Sequence, residues 1–168
     1  GQIIGTPQYM SPEQATVGVS ELDGRSDVYA LGVIAFELLA GQPPYELRNK
    51  PLPEMVRIIT EVEAPPLGRI DRALSGDISV IVAKCLEKDA AHRYQSAWDV
   101  AEDLRRYLRD EPILARPSTT TYQLAKFARR NRGLTATLLG LAVVLLVSAV
   151  LATALWQQAA AAARTSEA

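Results

Sequence analysis

The 168-residue chain is long enough for one domain, or one small domain with an appendage, and too short for two cores. Its 18 Lys and Arg nearly balance 19 Asp and Glu, but residues 1–111 hold 12 basic and 18 acidic side chains, whereas residues 112–133 hold five basic and no acidic ones. An acidic body excludes a phosphate-neutralising groove and hence nucleic-acid binding, and one Cys with one His excludes a disulfide framework or a metal centre rich in thiolate or imidazole.

Gly1 opens directly on motif-rich sequence without a Met, so the chain reads as a fragment. Residues 5–12, with Gly-Thr-Pro followed by Ser-Pro, are irregular, exposed and rigid, which suits the holding of an extended peptide. Ser26 can cap a helix that runs to Leu39 or Ala40, with Gly41 as its stop and Gln42-Pro43-Pro44 preventing continuation. That helix is apolar nearly all round and is expected to be surrounded by protein. Residues 53–62 read as a surface helix ended by Pro65-Pro66. Residues 77–87 bury Ile78, Ile81, Val82, Cys85 and Leu86 on one face, so Cys85 reads as inert packing in a reducing cytosol. Residues 96–109 open with Ser96 and Asp99 in capping-box spacing and are expected to bury Ala97, Val100, Ala101, Leu104 and Leu108, with Trp98 and Tyr107 as packing groups. No stretch alternates as a strand does, so the body is expected to be all-helical.

Next comes a basic cluster, Lys126, Arg129, Arg130 and Arg132, and then 23 residues without a charge, 134–156, closed by Trp156. As a helix these cover roughly 35 Å, enough to cross a bilayer. The excess of positive charge before the span places the body in the cytoplasm and the tail, 157–168, outside. The cluster can attract anionic lipid at about 1 kcal/mol per charge, and residues 118–132 read either as a short helix lying at the membrane or as a solvated linker. Ala136 with Gly140, or Ala149 with Thr153, gives the small-residue spacing that suits a homodimer of spans.

Four blocks stand in order: residues 5–14 (Gly-Thr-Pro-Gln-Tyr-Met-Ser-Pro-Glu-Gln), residues 26–32 (Ser-Asp-Val-Tyr-Ala-Leu-Gly), residues 41–45 (Gly-Gln-Pro-Pro-Tyr), and residues 85–89 (Cys-Leu-Glu-Lys-Asp) with Arg93. Together they resemble the C-terminal lobe of bacterial eukaryotic-like Ser/Thr protein kinases of the membrane-anchored type, over about residues 1–109. The resemblance implies an all-α kinase C-lobe fragment at 1–109, a basic juxtamembrane linker at 110–133, a transmembrane helix at 134–156 in the inner membrane, and the start of an extracytoplasmic segment at 157–168. It also implies that Ser11-Pro12-Glu13 stands for the family's Ala-Pro-Glu motif and that Glu13 forms a buried structural ion pair with Arg93. Thr6, Pro7, Tyr9 and Met10 would form the substrate loop, and Asp27 would anchor the catalytic loop. Ala90 departs from the proline usual in that region.

The Gly-rich loop, strand lysine, His-Arg-Asp loop and Asp-Phe-Gly magnesium ligand that phosphoryl transfer needs are not in this sequence. In the family they precede the Gly-Thr-Pro block. The full protein is therefore expected to use ATP and Mg2+ on protein substrates, while this fragment holds no catalytic or metal-binding residue, binds neither ATP nor Mg2+, is inactive, and is unstable alone. The alternative is a membrane-anchored pseudokinase or docking module, whose loop binds a partner without phosphorylating it.

Overall fold

A computed structural model describes residues 7–16 and 23–166. Every regular element among the described residues is helical. A 3-10 turn at Pro7–Tyr9 is followed by α1 (Pro12–Thr16), α2 (Gly24–Ala40), α3 (Leu52–Glu61), α4 (Leu67–Ile70), a 3-10 turn at Arg72–Leu74, α5 (Asp77–Cys85), α6 (Ala97–Leu108), α7 (Thr120–Arg130) and α8 (Arg132–Ser166). The chain divides into a body that ends at Gln123 and a second unit, Leu124–Ala168. Residues 110–123 fall in the first of these units.

Helix α2 is the centre of the body. Its cap is Asp23 and not Ser26: the Asp23 backbone is extended at φ −126, and its Oδ1 accepts the Arg25 N–H at 2.9 Å. Ser26 lies inside the first turn, buried, because its hydroxyl is drawn to Glu13 at 2.7 Å. The helix stops at Gly41, whose φ of 69 is the left-handed conformation that costs a glycine least and turns its N–H onto the Glu37 carbonyl.

The inward side of α2 presents Val28, Tyr29, Val33 and Phe36, each at most 1% exposed. Val28 packs with Ile81, Cys85, Tyr94 and Val100, and the other three with Tyr45, Ile59, Leu67, Val82 and Leu86. Burying each such side chain is worth about 1.5–3 kcal/mol. The expectation of all-round burial does not hold. Leu31, Ile34 and Leu38 are 42, 43 and 80% exposed. Together with exposed Asp27 they recur at i, i+4, i+7 and i+11, a stripe that no described residue covers.

Helix α6 starts at Ser96, whose hydroxyl accepts the Asp99 N–H at 3.2 Å and donates to the Asp99 carboxylate at 2.7 Å. Its buried face is Val100 and Asp103, whereas Ala97, Leu104 and Leu108 are exposed, contrary to expectation. The inward position is taken by Asp103, onto which three donors converge, so Leu104 one residue on is rotated about 100° away from it. Trp98 is exposed and stacks under the Arg105 guanidinium, 4.9 Å from the ring centre. Cys85 is buried, and burial pushes its thiol up to about 12, so it is inert at neutral pH.

In the second unit, residues Arg132–Thr153 of α8 form an apolar stretch of mean hydropathy 2.6, none of it buried within the chain. Arg129, Arg130 and Arg132 are exposed, whereas Lys126 of the same cluster is buried.

Candidate functional site: a braced loop on a helical base

The loop before α2 is held by its own chemistry. Met10 N–H closes the Pro7–Tyr9 turn onto the Pro7 carbonyl at 3.2 Å. Ser11, fully buried, and Gln14 then form a reciprocal capping box at the start of α1: Ser11 N–H donates to Gln14 Oε1 at 2.9 Å, and Gln14 N–H to Ser11 Oγ at 3.4 Å. Pro12 occupies the first helical position, where its missing N–H costs nothing. The Ser-x-x-Gln spacing is readable in the sequence as a helix start.

Glu13, in the first turn of α1, faces Arg93. The Arg93 side chain is wholly buried and its five N–H donors all find acceptors. Nη1 donates to Glu13 Oε1 at 2.7 Å and to the Arg25 carbonyl at 3.1 Å; Nη2 donates to Glu13 Oε2 at 2.8 Å and to the Lys88 carbonyl at 3.0 Å; Nε donates to the Glu87 carbonyl at 2.7 Å. The Tyr29 ring lies 5.0 Å from the guanidinium carbon. A bidentate pair with three further carbonyls is a rigid, planar brace, which only arginine can supply. It ties the loop, the start of α2 and the segment after α5 together.

Burial by itself would raise the Glu13 carboxyl, but hydrogen bonds from Arg93 and Ser26 outweigh it and hold it down at about 2. A depressed carboxyl contributes stability that is complete above its unfolded value and is lost as pH falls from about 4.5 toward 2, because the unfolded chain takes up the proton first. Thermal midpoints of the purified protein should therefore fall over that window, and the Glu13→Gln variant should show a flatter slope there. Equal slopes would contradict the pairing.

Of the other residues singled out in the sequence, Tyr9 donates its hydroxyl to Glu37 of α2 at 2.9 Å, and that carboxylate raises its phenol above the ordinary range. Tyr9 and Met10 also pack against the core around Tyr29 and Phe36. Pro7 is half-buried in the turn. Asp27 is exposed at the first turn of α2, apart from the brace, where it is favourable as a helix-end charge. Thr6 lies outside the described residues. Lys88, which the sequence shows only as part of the Cys-Leu-Glu-Lys-Asp block with no role of its own, donates to the Tyr45 hydroxyl at 2.9 Å and the Ile59 carbonyl at 2.6 Å, and burial lowers its ammonium to about 8. It pins the Gln-Pro-Pro-Tyr turn and α3 to the base of the brace. No local periodicity points to such a contact.

Residues 1–104 match the family model described as the protein kinase domain. The chain belongs to the protein kinase domain family. Among its relatives in the family are the serine/threonine-protein kinase PknB of Mycobacterium tuberculosis, 40% identical over 110 residues, and PknB of Mycobacterium leprae, 38% identical over 110 residues. In both cases the matched segment is 66% of this chain and 17% of the relative. A probable serine/threonine-protein kinase of Streptomyces coelicolor is 35% identical over 111 residues, 66% of this chain and 16% of that protein. The chain thus spans about a sixth of the length of these kinases. The kinase family uses ATP and Mg2+. Among the described residues, no three His, Cys, Asp or Glu side chains converge as metal ligands would.

Proposed function

We propose that residues 1–109 are the helical C-terminal lobe of a transmembrane Ser/Thr protein kinase, and that the longer protein transfers the γ-phosphate of ATP, with Mg2+, to Ser or Thr of protein substrates. The observation that carries this is the Glu13–Arg93 brace directly beneath the Pro-Gln-Tyr-Met loop, in a chain of the kinase family. In this reading Thr6, Pro7, Tyr9 and Met10 seat the peptide beside the acceptor hydroxyl, and Glu13 with Arg93 fixes that loop to the helical base. Asp27 anchors the catalytic loop. The uncovered stripe Asp27, Leu31, Ile34, Leu38 supports that last role, since it is the surface the rest of the lobe would cover. The ATP site and catalytic loop belong to the longer protein, so the 168-residue chain by itself is inactive.

The domain division follows from the same reading: a basic juxtamembrane segment at 110–133, a transmembrane helix at 134–156, and an extracytoplasmic start at 157–168. The exposed, apolar α8 supports the span, and the positive charges before it support a cytoplasmic body in the inner membrane. Exposed Arg129, Arg130 and Arg132 would meet anionic lipid. Paired small residues at 136 and 140 would suit a homodimer.

Two preparations test this. The full-length gene product, retained in membranes after alkaline carbonate washing, should phosphorylate a Ser/Thr protein substrate with Mg-ATP. The 168-residue chain should transfer nothing and show no nucleotide binding by calorimetry. Nucleotide affinity in the short chain, or none in the long one, would overturn the assignment.

A further inference from the structure

After α6 the chain doubles back. Asp110 adopts φ 55, Glu111 N–H reaches the Arg106 carbonyl at 2.8 Å, and residues 111–119 continue as irregular chain. A polar, Pro-containing segment of this kind is ordinarily a solvated lead-in to the next helix. Here it is fastened at two points.

The inner fastening is Asp103, whose carboxylate is completely buried. It accepts the backbone N–H groups of Leu114 at 2.6 Å and Ala115 at 2.8 Å, and the Tyr94 hydroxyl at 2.8 Å. Beside it Ile113, 3% exposed, sits among Val28, Ile81, Cys85, Tyr94 and Val100. The outer fastening is Asp77 at the start of α5. Its Oδ1 accepts from Arg116 at 3.2 Å and its Oδ2 from the Tyr122 hydroxyl at 2.9 Å, and that same hydroxyl accepts the Ile113 N–H at 3.1 Å. All of these residues lie in the body, yet the strap lies past residue 104, where the family match ends.

We propose that residues 111–122 are a two-clasp latch on the base of the body, in which the outer clasp at Asp77 can open while the inner clasp at Asp103 stays shut. The two clasps differ in their access to water. Asp77 is itself only 7% exposed, but the Arg116 side chain that it pairs with is 46% exposed, so solvent and salt compete for the cation of the outer pair. Losing the strap from Asp103 would instead take two of three donors, both of them backbone N–H groups, from a completely buried carboxylate, which is strongly unfavourable. The latch depends on neither the kinase nor the membrane assignment. Its consequence rests on α8 being an anchor: the closed latch withdraws the irregular residues 111–119, roughly 30 Å of extended chain, from the tether between body and membrane.

Amide hydrogen exchange at single-residue resolution on the full-length protein in detergent tests this. In the wild type, the amides of Ile113, Leu114 and Ala115 should exchange ~100-fold or more slowly than random-coil rates. Tyr122→Phe, which removes one hydroxyl and keeps the ring and both bonds from the strap to Asp103, should release Ile113 by ~10-fold and leave Leu114 and Ala115 protected. Asp103→Ala should release all three; if it fails to fold, the Tyr122→Phe pattern decides alone. Random-coil exchange at 113–115 in the wild type, or an Ile113 amide indifferent to Tyr122→Phe, would overturn the latch. Loss of membrane retention with exchange protection intact would instead count against the anchor.

Discussion

Replacing Glu13 by Ala in the full-length protein is expected to cost about 3–5 kcal/mol of stability. The cost comes from what is left behind. Arg93 is sealed from solvent and has donors for five acceptors; without Glu13, two of them face no partner, and the charge stays buried. Against a total stability of typically 5–15 kcal/mol this is a large fraction. Glu13→Gln should cost less, because the amide oxygen still accepts from one guanidinium nitrogen. Arg93→Met should be comparable to Glu13→Ala, since it strands the carboxylate and frees three carbonyls. The double variant Glu13→Ala with Arg93→Met should be less damaging than the sum of the two, since no unmatched charge remains. Urea unfolding of the four proteins gives these differences directly. Single variants within about 0.5 kcal/mol of the wild type would mean that the pair is solvated.

Gly32→Ala is expected to destabilise by about 1–3 kcal/mol, although alanine is the better helix former by about 1 kcal/mol. A Cβ built on Gly32 would stand 2.6 Å from the Cys85 Cβ and 3.3 Å from the Cys85 carbonyl carbon, so α2 and α5 would have to separate. The Cys85 Cβ and backbone carbon are not ends of a flexible side chain and cannot swing aside. The seam carries Val28, Val33, Ile81 and Val82, so parting it loosens both hydrophobic clusters. Gly24→Ala supplies the control on the same helix. Nothing lies within 4 Å of that position, and its substitution should be neutral or slightly stabilising. Thermal unfolding that ranks Gly32→Ala no worse than Gly24→Ala would show that the two helices tolerate separation.

The elements that the sequence displayed best are those decided locally. The end of α2 at Gly41, the cap of α6 at Ser96 and the apolar run of α8 each depend on residues within one or two turns. The errors arise where a distant group intervenes. Ser26 has the chemistry of a cap, but Glu13, thirteen positions earlier, draws its hydroxyl inward, and Asp23 caps in its place. Leu104 and Leu108 fit an apolar repeat, yet a charged residue, Asp103, takes the buried position because backbone N–H groups from residues 114 and 115 arrive there. The strap itself has no periodicity to betray it. Nothing in local spacing connects Glu13 to Arg93, 80 positions on; only the order of motifs shared with the kinase family points there.

If the brace positions a substrate loop for phosphate transfer, as proposed, a double-substitution cycle on Glu13 and Arg93 in the full-length protein will show it, with kcat/KM for a Ser/Thr substrate measured beside thermal stability. Each single substitution should lower both quantities strongly, and the double variant should transfer phosphate no worse than the poorer single. Singles that phosphorylate and melt like the wild type, with effects that simply add, would contradict it.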